Sequence, residues 1–521
     1  MTLRRRTMMT EEVQKNKTEL VLDIHGKPYR RGAMVLLVLL ATFAGVLMQT
    51  VLGTTIPTLM RDYNISMATA QQATTWFLLA NGIMIPVSAY LATKFSTKRL
   101  YMVAYLALFL GMVIVYAAPS PKPSTWWVFL VGRILQASAV GISMPLMQVV
   151  FVNIYPPEKM GMVMGMAGLV VGLAPAIGPT FAGWILDKNH IIFGLTLSNS
   201  WRTIFLLPML VLGLCLLASP FVLRDVLPNR DVHLDVLSLI ESVLGFGLFL
   251  WGFTNVATDG WGKFDTVILP IILGVVIIAL FSRRQLKLEK SFLDLRVFKI
   301  KQFTLTTIVI ALITMAMMGV EMMLPLYMQE VHGLSALNSG LVLLPGALMM
   351  GIMSPIAGIA YDKVGAKRLA MVGAVILMIG TFPFMYLSAE TPNLFITVLY
   401  SMRMFGIAMV FMPLTASAMH ALPVEEAADG TAANNTARQV ASAVVVALLS
   451  SVTQNVITNA EPAKALKVSN PLHYADKLIQ AMLTGYHVSF ALGFIFAILA
   501  FLVALFLQGH RPQHAAMKGD A

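Results

Sequence analysis

Apolar residues run along this chain in long blocks rather than in short alternating stretches. The blocks centre near residues 45, 80, 108, 138, 173, 212, 247 and 272, and again near 315, 348, 377, 408, 447 and 496. Each is bounded by charge, by Pro/Gly or by Asn clusters. A helix crossing about 30 Å of hydrocarbon at about 1.5 Å per residue takes roughly 20 apolar residues. The pattern therefore predicts an all-α polytopic membrane protein with 14 transmembrane helices.

Composition narrows the class. Of 521 residues, 58% are hydrophobic and 12% are charged, and the mean hydropathy is +0.77. An ordinary soluble domain is about 25% charged. So few charges cannot cover a water-soluble fold of this size, which excludes a soluble enzyme, a nucleic-acid binder and a disordered scaffold. The net charge of +12 would suggest nucleic acid on its own, but its distribution points to membrane orientation. With the N-terminus inside, 26 of the 37 Lys and Arg residues fall on cytoplasmic segments and 8 on outer ones. Arg133, Arg403 and Arg438 remain within spans or at their start. Both termini are therefore expected in the cytoplasm.

Residues 1–32 are polar and basic, without the short apolar core of a signal peptide, and read as a cytoplasmic tail. Arg4-Arg5-Arg6 is followed by polar residues, which argues against a twin-arginine signal. The single cysteine, Cys215, allows no disulfide framework, and the histidines show no metal-ligand spacing within a span. There is no GxxxxGK[ST] phosphate loop. No metal, cofactor or ATP-driven chemistry is expected, and no enzymatic activity.

An internal repeat organises the spans. Residues 86–100 read PVSAYLATKFSTKRL and residues 355–369 read PIAGIAYDKVGAKRL, an offset of 269. Ile65-Ser66 meets Leu334-Ser335 at the same offset, and Arg133 meets Arg403 at 270. Ile56-Pro57 meets Leu324-Pro325 at 268, and Pro156-x-Glu158 meets Pro423-x-Glu425 at 267. Chance similarity between apolar helices would not hold register over such a length. The expected units are a tail (1–32), a six-helix bundle (33–223), a linker with two extra spans and a basic loop (224–301), a second six-helix bundle (302–507) and a tail (508–521). Repeated halves place a substrate site between them near mid-membrane, with transport by rocking of one half against the other.

Glu321 is the most informative single residue. It has no charged neighbour in sequence between Lys301 and Glu330. A carboxylate in hydrocarbon costs several kcal/mol or takes up a proton. That is the behaviour a proton-coupled site needs. Arg133 and Arg403 lie at a similar depth in their own spans. Small residues Gly161, Gly165, Gly168, Gly172, Gly178 and Gly183 recur along the fifth span, together with Pro175 and Pro179. Such spacing suits close helix packing.

Several motifs resemble one family. Gly358-Ile-Ala-Tyr-Asp362-Lys363-Val-Gly365-Ala-Lys367-Arg368 is similar to the loop signature between the second and third helices of each half in the major facilitator superfamily. The first-half copy is degraded, with Thr93 where the family has Asp and Ser96 where it has Gly. Arg133-Ile-Leu-Gln136-Ala-Ser-Ala-Val-Gly141 resembles the fourth-helix motif, and Ala174-Pro175-Ala-Ile-Gly178-Pro179-Thr-Phe-Ala-Gly183 the fifth-helix antiporter motif. Asn435-Thr-Ala-Arg438-Gln439 and Gly485-Tyr-His487 resemble later signatures. The chain is thus similar to the fourteen-helix drug:proton antiporters of the EmrB/QacA type. The first-helix acid common in that family is missing, since Met48-Gln49-Thr50 stands there.

The resemblance implies two pseudo-symmetric six-helix bundles plus two inserted helices, and residence in the bacterial plasma membrane. It implies proton-coupled efflux of lipophilic, cationic or neutral compounds. The helices bearing Arg133, Glu321 and Arg403 would line a central cavity, where an Arg133–Glu321 contact is one expectation and a structural role for the arginines another. The implied proton-coupling residues are Glu321 and Arg133. Gln49, Trp76, Asn81, Gln136, Met322, Met323 and Arg403 are the substrate-binding candidates. Asp362, Lys363, Gly365 and Arg368 are the gating candidates, and Gly172, Pro175, Gly178, Pro179 and Gly183 carry the antiporter motif. Partners would be a small-molecule substrate, protons and lipid, with an adaptor protein left open. Two other readings stand: an exporter or flippase of a specific lipid, amino acid or metabolite, and a membrane sensor or scaffold without turnover.

Overall fold

The computed structural model describes residues 20–65, 67–156, 159–192, 195–228, 235–288, 293–423, 426–462 and 469–508. Among them are 14 helices long and apolar enough to cross a membrane. In chain order these are α1 Arg31–Thr50, α2 Met67–Lys94, α3 Thr97–Tyr116, α4 Trp126–Ile154, α5 Met160–Asp187, α6 Trp201–Val222 and α7 Val236–Asp259. They continue as α8 Leu269–Lys287, α9 Lys301–Glu330, α10 Ala336–Val364, α11 Ala366–Thr381, α12 Asn393–His420, α13 Ala427–Ala460 and α14 Pro471–Ala504. The span count matches the sequence pattern because the hydrocarbon leaves helix, with every backbone group paired internally, as the simplest way across.

Local sequence sets the helix ends. Ser335 begins α10 by accepting the Asn338 N–H, and Asn470 begins α14 by accepting the His473 N–H. Gly365 ends α10 in the left-handed region (φ 87°), where its N–H reaches the Tyr361 carbonyl. The first span breaks after Thr50 into a tight turn, Val51–Thr54, and a short helix, Ile56–Tyr63, that stops at left-handed Asn64. Two antiparallel hairpins lie outside the spans, Leu20–Leu22 with Pro28–Arg30 and His190–Ile192 with Leu195–Leu197.

In the first six spans α4 packs against both α2 and α3; in the last six, α12 packs against α10 and α11, and α9 against α14. The halves meet on two seams, α5 with α10 and α2 with α13. The inserted pair α7–α8 packs on itself, and α7 also reaches α2 and α13. Leu244, Ile272, Leu273, Val275 and Val276 on this pair are exposed, as are Leu214, Leu217 and Phe221 on α6. In water such faces would be a liability; here they are the surface that meets lipid.

Candidate translocation site

The α5–α10 seam is built from the small residues singled out by the sequence. A Cβ on Gly161 would lie 2.0 Å from the Gly358 carbonyl oxygen, and one on Gly165 would lie 2.6 Å from Pro355 Cα. Gly172 faces Met350, Gly178 faces Thr50 of α1 and Gly183 faces Leu337. The helix runs continuously past Pro179 to Asp187; the side chain of Pro175 lies outside the described set. Gly161 and Gly165 thus bring α5 and α10 close enough for backbone-to-backbone contact between the halves, while Gly178 packs within its own half.

At the end of the seam where α10 stops and α5 starts, Asp362 reaches across it. Its Oδ1 accepts the Gly161 N–H at 3.1 Å, and Met162 donates a second backbone bond. A carboxylate on the first turn of α5 also meets the positive end of the helix dipole. Gly365 supplies the chain reversal behind it, while Lys363 and Arg368 are exposed. In the degraded first-half loop Thr93 bonds only back to Ala89 of its own helix, at 2.9 Å. The second seam is held differently. Asp429, in the first turn of α13, accepts the Asp294 N–H at 2.9 Å, and Leu293 packs with Val87, Tyr90, Phe246, Phe281 and Ala432.

Inside the last six spans, Glu321 on α9 is half-buried, and its Oε2 is sealed from solvent without a hydrogen-bond partner. The cation acting on it is Arg403. Arg403 is fully buried; it donates from Nε to Thr381 Oγ1 at 2.9 Å and from Nη2 to the Ala316 carbonyl at 3.0 Å. Its guanidinium thus ties α12 to α11 and to α9, one helical turn from Glu321. Met322 is half-buried beside it, whereas Met323 is buried and receives the Thr453 hydroxyl on sulfur at 3.9 Å.

Arg133 does not reach Glu321. It is fully buried, donates to Gln136 Oε1 at 2.8 Å and lies 4.2 Å over the Phe77 ring. Gln136 in turn donates to the Gly111 carbonyl at 2.9 Å, so both side chains link α4 to α2 and α3. The expected Arg133–Glu321 contact is corrected accordingly: a partner within one turn of its own helix outcompetes one in the opposite half. Three other candidates have packed surroundings. Gln136 is sealed, Asn81 is buried against Gly141, and Trp76 lies against Trp251 of the insert with ring centroids 5.3 Å apart. Gln49 is half-buried at the end of α1.

One residue was passed over. Arg438, half-buried on α13, donates to Met144 Sδ at 3.7 Å and lies 5.3 Å over the Phe411 ring. It is the lone charge in sequence between Asp429 and Glu461. The reasoning that isolated Glu321 would have isolated it too. Around it, Asn435 donates to Gln148 Oε1 of α4 at 2.9 Å and Gln439 to the Leu78 carbonyl of α2 at 3.5 Å, both from one half to the other.

Two six-helix bundles that touch along glycine-rich and polar seams, with ionisable groups held inside the spans, define the class as a membrane transporter. The sequence profile described as Major Facilitator Superfamily matches residues 38–446, and the chain belongs to that superfamily. The MFS-type transporter YcnB of Bacillus subtilis (strain 168) is 40% identical over 501 residues, covering 96% of this chain and 99% of that protein. Lincomycin resistance protein LmrB of the same organism is 35% identical, covering 93% of this chain and 98% of the relative. Among solved structures, the proton:xylose symporter XylE aligns with a TM-score of 0.60 at 15% identity, covering 91% of this chain and 95% of that one; this likeness is one of fold.

Proposed function

We propose that this transporter exports lipophilic compounds in exchange for protons, from a plasma membrane in which both its termini face the cytoplasm. The observation that carries the reading is the unpartnered oxygen of Glu321, held in the span beside Arg403. A carboxyl with one oxygen sealed from solvent and without a donor among the described residues can hold a proton in one state and release it when a polar route or a cation reaches it. Arg403 on the Ala316 carbonyl makes proton release depend on how α9 and α12 sit together. Protons moving inward supply about 1.36 kcal/mol per pH unit and about 2.3 kcal/mol per charge per 100 mV. That Arg133, Arg403 and Arg438 share the interior with Glu321 favours neutral cargo over cationic. The resistance named for LmrB supports export of foreign compounds as the direction of transport.

The Asp362–Gly161 bond supports a cytoplasmic latch that closes when cargo faces outward and parts when it loads. The test is uptake of a panel of lipophilic compounds, lincomycin included, into inverted vesicles with an imposed acid-inside gradient. Glu321→Gln should abolish gradient-driven accumulation while leaving gradient-independent exchange. Accumulation that ignores both the gradient and the substitution would remove the proton-coupling reading.

A further inference from the structure

We propose that Arg438 is a cargo-recognition site for a strong hydrogen-bond acceptor, such as a carboxylate, sulfonate, phosphate or amide carbonyl, carried on a lipophilic body. This rests on the reading of the chain as an exporter of lipophilic compounds and names the polar group such cargo must present.

The three in-span arginines divide by what holds them. Arg133 and Arg403 are fully buried and bond within their own half, to Gln136, Thr381 and the Ala316 carbonyl, with Arg133 Nε and Nη2 and Arg403 Nη1 sealed from any ligand and without a partner among the described residues. Arg438 is half-buried, and among the described residues its polar partner is a thioether sulfur at 3.7 Å on the opposite half. Thioether sulfur is a weak acceptor, and a guanidinium carries five donors in a planar fork. No described carboxylate lies within ion-pair distance of it. A cation held this way inside a span lacks a compensating anion among the described residues, which is costly unless a ligand supplies one.

Its position fits that role. Arg438 lies roughly 16 Å along α13 from Ala427 at about 1.5 Å per residue, well inside the span. It stands where the halves exchange contacts: Met144 and Gln148 from α4, Leu78 from α2, Asn435 and Gln439 from α13. Phe411 and Met144 beside it offer an apolar wall that adapts to different shapes. A planar fork with aromatic and thioether walls recognises an oxo group while tolerating variety in the body attached. Glu321 is not its counter-ion: among the described residues no ion pair joins the two.

The test uses full-length protein in nanodiscs, without any gradient, titrated calorimetrically with three probes on one body: biphenyl-4-sulfonate, biphenyl-4-carboxamide and biphenyl-4-trimethylammonium. Wild type should hold the sulfonate and the carboxamide about ten-fold tighter than the ammonium. Arg438→Gln should weaken the sulfonate about ten-fold, weaken the carboxamide less and leave the ammonium unchanged or tighter. Arg438→Lys, which keeps the charge, should retain the sulfonate and lose part of the carboxamide affinity. Equal losses for all three probes in Arg438→Gln, or an ammonium ranked first by wild type, would overturn the proposal. Binding of none of the three by wild type would remove the lipophilic-cargo reading and this site with it. Because the titration needs no proton gradient, failure of Glu321-dependent coupling is read separately, in the vesicle assay.

Discussion

Asp362 accepts the backbone N–H of Gly161 at 3.1 Å, a bond that joins the last turn of α10 to the first turn of α5 and so spans the two halves. A hydrogen bond to a charged group contributes about 1.5–3 kcal/mol, enough to move a conformational equilibrium about ten-fold. Asp362→Asn should therefore favour opening to the cytoplasm. In a Cys215→Ala background, maleimide labelling of Gln439→Cys from the cytoplasmic side should speed up about ten-fold by this estimate. An unchanged labelling rate would show that the bond holds nothing shut.

Gly358 has no room for a side chain, since its Cβ would lie 1.9 Å from the Gly161 carbonyl oxygen. Backbone cannot yield as a flexible side-chain tip does, so Gly358→Val should push α5 and α10 apart. The expected result is loss of the closed state and a lower apparent Tm in detergent. Gly262→Ala, at a position with open space around it, should leave both unchanged and serves as the control.

Arg403 donates simultaneously to α11 and α9 through a fork that a lysine does not reproduce. Arg403→Lys should lower the apparent Tm by several degrees, a cost of about 2 kcal/mol, yet retain part of the proton-driven uptake because a cation still stands beside Glu321. Arg403→Met removes that cation and should reduce uptake to the level of Glu321→Gln. Equal uptake by the Lys and Met variants would contradict the assignment.

Arg284, in the last turn of α8, grips Asp235 just before α7 with two bonds of 2.8 and 3.0 Å, and these hold the Asp235 carboxyl down at about 2. A depressed carboxyl stabilises the fold fully above its unfolded value near 3.9 and loses that contribution as pH falls toward about 2. The Tm difference between wild type and Asp235→Asn should hence be constant from neutral pH down to about 5, then shrink below about 4. A difference that grew on acidification would reverse the sign of the argument.

The spans were legible because hydrocarbon thickness fixes their length, and the halves because Pro86 to Leu100 and Pro355 to Leu369 keep one register. Glu321 was legible because a lone charge in an apolar run has few bland explanations. What each helix face meets was not. Helices that are apolar all round give no amphipathic stripe to orient them, so Trp76 could not be assigned to Trp251, nor Gln136 to Arg133 and Gly111. The tie from Asp294 to Asp429 was hidden for another reason: it joins residues 135 apart through a backbone N–H that carries no side-chain signature.

The inserted helix α7 lies over the slit between α2 and α13, with Trp251 on Trp76, Leu250 on Gly82 and Val256 packed with Ala447. On the opposite flank, glycine backbones leave no gap between α5 and α10. A molecule dissolved among the acyl chains thus meets a wall on both sides and finds no side door. On the proposed export reading, cargo arriving from the bilayer would have to wait for these walls to part, and the extra hairpin would stand as a doorkeeper on that route.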